Sequence, residues 1–169
     1  MSTRAMLVFC EGGQPQAMIY RHDAGQPDGP HGVPADLTRF FRECETFCTM
    51  ISGPRFGDPD YLAAKWVVWE AHQIHLVWAK HGRAIHPLDF LSLGVDMNLH
   101  WDLDFGYLVH CDRRDDCGRP TIEVVNGALC SADPELQILA DAAIAAARCE
   151  PLQNSWDWPT DATHAQAAA

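Results

Sequence analysis

Long apolar runs, positive charge and catalytic signatures are all scarce in this sequence. The opening MSTRAMLVFCEGG holds one arginine and a six-residue apolar run before Glu11, too little for a signal peptide or a membrane span. A cytoplasmic protein is therefore expected. With 12 Lys and Arg against 23 Asp and Glu, the formal net charge is −11, which argues against direct binding to nucleic acid or to an anionic membrane. No G-x-S-x-G, no P-loop and no protease-like cysteine signature occurs, and the Gly12-Gly13 stretch reads as a turn rather than a dinucleotide fingerprint. A non-enzymatic protein without a cofactor is the expectation, and no repeat at solenoid spacing is visible.

Seven cysteines, an odd number in a chain with no export signal, point to reduced thiols. The pairs Cys44/Cys48, His72/His75 and Cys111/Cys117 raise the question of zinc. Cys44 and Cys48 lie on the apolar face of a helix, where Cys acts as a small hydrophobe, and the His pair lacks a third partner in sequence, so no metal site is assigned.

The apolar share of 47 %, with six Trp and seven Phe, is that of a folded protein. Its length suits one domain, expected over 1–150, followed by a tail at 151–169 expected to be partly disordered.

RAMLVFC and AMIYRH, separated by EGGQPQ, form a hairpin pattern with a connection longer than two residues. The GQPDGPHGVP run then excludes helix and strand. After it, Asp36 stands in the first turn of a helix whose apolar stripe is Leu37, Phe40, Phe41, Cys44, Phe47, Cys48 and Ile51. Asp58 and Pro59 start a second helix that Gly82 ends. Its polar residues Lys65, His72, Gln73 and Lys80 make one narrow stripe, so Trp66, Trp69 and Trp78 belong to a broad apolar circumference. That breadth suggests burial on several sides or a homodimer through the 60–81 helix.

From Met97 to Cys111 every odd position is apolar or aromatic, which predicts two strands with a bend near LDFG. PTIEVV is a further strand, and Asp133-Pro134-Glu135 starts a last helix that Glu150 and Pro151 stop. The order gives an α+β fold: an antiparallel sheet (N-terminal hairpin plus strands around 97–111 and 120–125) packed against about three helices.

Charge is unevenly placed. Residues 1–88 carry nine acids and eight bases, whereas residues 89–169 carry fourteen acids and four bases. Asp102, Asp104, Asp112, Asp115 and Asp116 fall close together, and Trp156 and Trp158 stand near the end. Such a surface can occupy the basic nucleic-acid-binding groove of another protein, with charge steering the encounter and buried rings anchoring it. His100, Asp102, Asp104 and His110 share the even positions of the 97–111 segment, read as the polar, solvent face of a sheet. A second candidate is the loop itself: Arg21, His22 and Asp23 enter it and His31 lies at its far end, a compact mixed-charge cluster for a small molecule or nucleotide, or for a cryptic hydrolase.

TRAMLVF, followed by AMIYRHDAGQPDGPHG and a helix starting at Asp36-Leu37, resembles a group of small bacterial and phage or prophage proteins. These begin with a T-R-A strand and continue Y-[RK]-H-x-D-G-x-P-x-G. Here His22 is followed directly by Asp23-Ala24-Gly25, a departure from that pattern. The resemblance implies a mobile-element setting, in which small acidic proteins often inhibit host defence complexes. An anti-CRISPR-like inhibitor in the host cytoplasm, docked on the basic surface of a host protein or nucleoprotein complex, is the function it suggests.

Overall fold

Why Ala5–Cys10 is apolar at every position becomes clear from where the strand lies. The computed structural model describes residues 3–48, 53–82, 93–96, 102–127 and 131–151. Its elements are β1 (Ala5–Glu11), β2 (Gln14–Arg21), α1 (Val33–Phe47), α2 (Pro59–Lys80), β3 (Leu93–Asp96), β4 (Phe105–Arg114), β5 (Pro120–Asn126), β6 (Ser131–Ala132) and α3 (Pro134–Cys149). They form a six-stranded sheet in the order β3-β2-β1-β4-β5-β6, an α+β fold. β1 is thus an interior strand. All pairings are antiparallel except β1 with β4, which run parallel from Ala5↔Phe105 to Cys10↔His110. A strand buried on both faces needs apolar residues at both parities, and β1 has them.

One face carries the helices. Leu7 and Phe9 of β1 and Tyr107 and Val109 of β4 pack with Leu37, Phe40, Phe41, Leu62 and Trp66 in the main core. On the other face Met6, Val8 and Cys10 cluster with Leu103, flanked by Met18, Tyr20 and Leu108. Burial of each large apolar side chain contributes about 1.5–3 kcal/mol, so these two layers carry most of the stabilisation.

The β1–β2 connection is shorter than the sequence suggested. Glu11 pairs with Gln14, leaving only Gly12 and Gly13 in the turn, with φ of 58° and 74°. Two consecutive left-handed residues match the twist of a two-residue hairpin, and Gly alone adopts them without strain. The register shift between Phe9 and Cys10 takes up the extra residue. α1 also begins earlier than expected, at Val33 within the Pro-rich run, because Pro34 sits in the first turn, where its missing N–H is no loss.

α2 and α3 start where their caps lie. The Asp58 carboxylate accepts from Tyr61 N, and Asp133 accepts from Glu135 N and Leu136 N. Between α1 and α2 an aromatic cluster fixes the packing: Phe40 meets Trp66 edge-on at 5.3 Å, and Trp66 stacks on Trp69 at 5.1 Å. α3 closes on α1 through Ala35, Ala143 and Ala147, side chains small enough to let the helices approach.

β4 is one of the two strands expected across 97–111, and Leu103 and Asp104 form the bend before it. Residues 97–101, including His100, lie outside the described residues, as do 152–169 with Trp156 and Trp158.

Candidate functional site

The loop after β2 is pinned at its root. Gly25 N donates to Thr3 O at 3.0 Å, and the buried Tyr107 hydroxyl donates to Gly25 O at 2.7 Å. A Cβ on Gly25 would stand 2.8 Å from both Thr3 O and the Ala5 side chain, so the chain passes β1 too closely for any other residue. Burial pushes the Tyr107 phenol pKa up and keeps it a neutral donor. Held this way, the loop delivers Arg21 from the end of β2 and His31 from its far side to one cleft of about 490 Å³. His22 and Asp23 are exposed and face each other at 3.5 Å; they do not line that cleft.

The cleft lies between α1 and α2 and is closed at one end by Glu150, the residue after α3. Across it runs a chain of alternating charge. Glu150 receives two hydrogen bonds from the Arg39 guanidinium, at 2.7 and 2.8 Å. Arg39 also donates to Asp36 Oδ1 at 2.9 Å, and Arg21 donates to Asp36 Oδ2 at 2.9 Å. Finally Arg21 Nε lies 3.4 Å from Glu70 Oε1. Side-chain exposure falls along the series, from 38 % at Glu150 to 9 % at Glu70, so the chain runs from rim to interior.

Two guanidiniums cannot neutralise three carboxylates. The surplus falls on the most buried acid: desolvation, opposed by Arg21 and reinforced by Asp36, raises the Glu70 pKa from its ordinary 4.5 to about 7. Desolvation alone would lower Arg21, but Glu70 and Asp36 outweigh it and raise its pKa, so Arg21 stays charged. At the rim, the Arg39 hydrogen bonds lower the Glu150 pKa.

The inner end of the chain is incompletely satisfied. The 3.4 Å separation of Arg21 Nε from Glu70 Oε1 is attractive but beyond ordinary hydrogen-bond range. Glu70 Oε1 and Arg21 Nη1 are buried with no hydrogen-bond partner, and so is the indole Nε1 of Trp69, which also lines the cleft. Buried polar atoms left unpaired each cost about 1–3 kcal/mol. Around them the lining balances: Arg21, Arg39, Arg42 and Lys80 against Asp36, Glu43, Glu70 and Glu150.

The acids of the second half are mostly engaged in the chain's own architecture. Asp102 pairs with the Arg4 side chain, and Asp104 accepts from Arg4 N at 2.7 Å. Asp112 accepts from Gly12 N, and Asp115 accepts from Cys117 N and Arg119 N and pairs with Arg148. Asp116 is exposed on the same turn. On α2, Trp66 and Trp69 are core residues, 0 % and 3 % exposed, and offer nothing to a second copy; the apolar side chains open to solvent there are Tyr61, Val68 and Val77.

His110 is not on a solvent face. It is buried, with Nε2 3.0 Å from Glu123 Oε2 and Nδ1 unpaired, and is in register with Cys10 on β1. Cys10 is no activated nucleophile. Burial, with Asp112 and Glu123 nearby, raises its thiol pKa, and its Sγ donates to Val8 O. Cys44 is likewise buried with a raised pKa. Among the described residues no group of three or more His, Cys, Asp or Glu is arranged to hold a metal ion. No described helix is long and apolar enough to cross a membrane.

Sequence reasoning reached Arg21 and His31 but missed Asp36, Arg39, Glu70 and Glu150 as site residues. The signal for Glu70 was present: a carboxylate directly after the apolar run Trp66-Val67-Val68-Trp69. Comparison of the chain with protein-family models, with curated proteins and with solved structures finds no match.

Proposed function

We propose that the protein is a small-molecule-binding protein whose ligand occupies the cleft between α1 and α2. One observation carries this reading: Arg21 and Glu70, both at least nine-tenths buried, line the cleft with one donor and one acceptor unpaired. Protein interiors rarely leave such atoms unsatisfied without a reason, and a bound ligand supplies one. The size supports it as well, since clefts of 300–1,000 Å³ typically hold small ligands.

The acidic-inhibitor reading has weaker support. Four of its five aspartates already hold backbone amides or arginines of the same chain, which leaves Asp116 as the acid with the fewest internal ties.

A thermal-shift screen of neutral, anionic and cationic small molecules tests the proposal. Val77 lines the cleft and is 53 % exposed, so Val77→Trp obstructs its rim without disturbing the core. A ligand at 100 times its Kd should add about 2.7 kcal/mol to the wild type. The same ligand should add less to Val77→Trp. Equal shifts in both proteins would contradict a ligand site in this cleft.

A further inference from the structure

A second hollow between α1 and α2, a groove of about 310 Å³, has an almost wholly apolar lining. Phe40 and Phe47 of α1 and Tyr61 and Val68 of α2 form much of it, and Cys44 and Cys48 line it too. Both cysteines are free thiols. Cys48 N donates to Cys44 O at 3.0 Å, so the two residues stand one helical turn apart, where side chains four positions apart are neighbours. Each thiol lies within reach of the other's influence. Burial raises the Cys44 pKa, Cys48 adds to the rise, and Lys65 opposes it. Lys65 lines the same groove and is fixed there by its Nζ, which donates to Pro54 O at 3.0 Å. Glu43, the other charge in the lining, acts on Cys44 more weakly than Lys65 does.

Two neighbouring sulfurs in apolar surroundings are a ligand set for a soft metal ion. Ligand number and charge narrow the choice. Among the described residues no third His, Cys, Asp or Glu joins the pair, so it does not serve tetrahedral zinc. Two thiolates and one monovalent ion sum to a single negative charge, which the Lys65 ammonium attracts.

We propose that Cys44 and Cys48 form a two-coordinate site for a soft monovalent cation, copper(I). Each thiol releases its proton to solvent as its sulfur bonds to the metal, and no electron is transferred. The apolar walls shield the bound ion from water. This site is independent of the ligand cleft that Arg21 and Glu70 line.

Anaerobic titration of the full-length protein with copper(I), in competition with the chromogenic chelator ferrozine, tests the proposal. The wild type should retain copper(I), and X-ray absorption should show a shell of two sulfurs without nitrogen. Cys48 is only partly buried and ends α1, so Cys48→Ala should keep the circular dichroism of the wild type and lose the ion. Replacing the exposed Cys117 and Cys149 together by Ser should leave binding unchanged. The X-ray absorption result uses wild-type protein alone and stands even if a variant folds poorly. Retention of copper(I) by Cys48→Ala would overturn the proposal. So would its loss from the Cys117 and Cys149 double variant, a shell containing nitrogen or a third sulfur, or transfer of all the copper(I) from the wild type to the chelator.

Discussion

Arg21 and Glu70 meet at 3.4 Å at the buried end of a five-member charge chain, and each retains a polar atom with no hydrogen-bond partner. The contact ties β2 to α2. Burial of Glu70, opposed by Arg21 and reinforced by Asp36, raises its pKa to about 7 and makes it a proton that responds near neutral pH.

Stability should therefore fall as the pH rises between about 4.5 and 7. A carboxyl whose folded pKa is raised holds its proton more tightly when folded. Its contribution is full below the unfolded value and is lost as pH passes the folded one. The loss is up to about 3 kcal/mol. Glu150, whose pKa is lowered, acts in the opposite sense and at lower pH, since its contribution disappears as pH falls below the carboxylate range. Urea denaturation at pH 5 and pH 8 in wild type and Glu70→Gln measures this; the variant should show a flatter dependence.

Arg39→Gln should release the end of α3 from α1. The variant loses both hydrogen bonds to Glu150 and one to Asp36, at a cost of about 1–2 kcal/mol given the partial exposure of the pair. Amide exchange should quicken in the last turn of α3, and the Glu150 carboxyl should titrate closer to its ordinary value.

The loop root makes a separate prediction. Tyr107→Phe removes the hydroxyl that holds Gly25 O and should cost about 1–2 kcal/mol. Gly25→Ala forces a Cβ against Thr3 O and Ala5 and should cost about 1–3 kcal/mol. Equilibrium unfolding checks both, and a neutral Gly25→Ala would show that the loop can move off β1.

A glutamine on α3 takes the place of a neighbouring strand along part of β5. Gln137 Oε1 accepts from Val124 N at 2.9 Å, and its Nε2 donates to Ile122 O at 3.2 Å. Gln137→Leu leaves both backbone groups unpaired and should cost about 1–3 kcal/mol, whereas exposed Leu139→Gln on the same helix should cost little.

Local signals made much of the fold legible. Asp58-Pro59 and Asp133-Pro134 are cap and first-turn pairs, and both helices begin there. Pairing across the sheet was harder to see, because nothing near β1 in sequence says that its second neighbour is β4, about 100 residues away. The unbroken AMLVFC run was the available clue to a strand covered on both faces. At the site, Arg21 and His31 flank a conspicuous loop, but Asp36 and Glu70 read as a helix-start acid and one polar residue on an apolar helix. Charge counts showed where the acids are and could not show that Arg4, Gly12 N and Arg148 already hold most of those assigned to a partner.

The most direct measurement is the titration of the Glu70 side-chain carboxyl, followed by carbon-13 NMR in wild type and in Asp36→Asn. Asp36 raises the Glu70 pKa, and Asn removes that charge while leaving Arg21 in place. The expected result is a wild-type midpoint near 7 that moves to lower pH in Asp36→Asn. A wild-type midpoint near 4.5, unmoved by the substitution, would contradict the buried charge chain and the ligand cleft built on it.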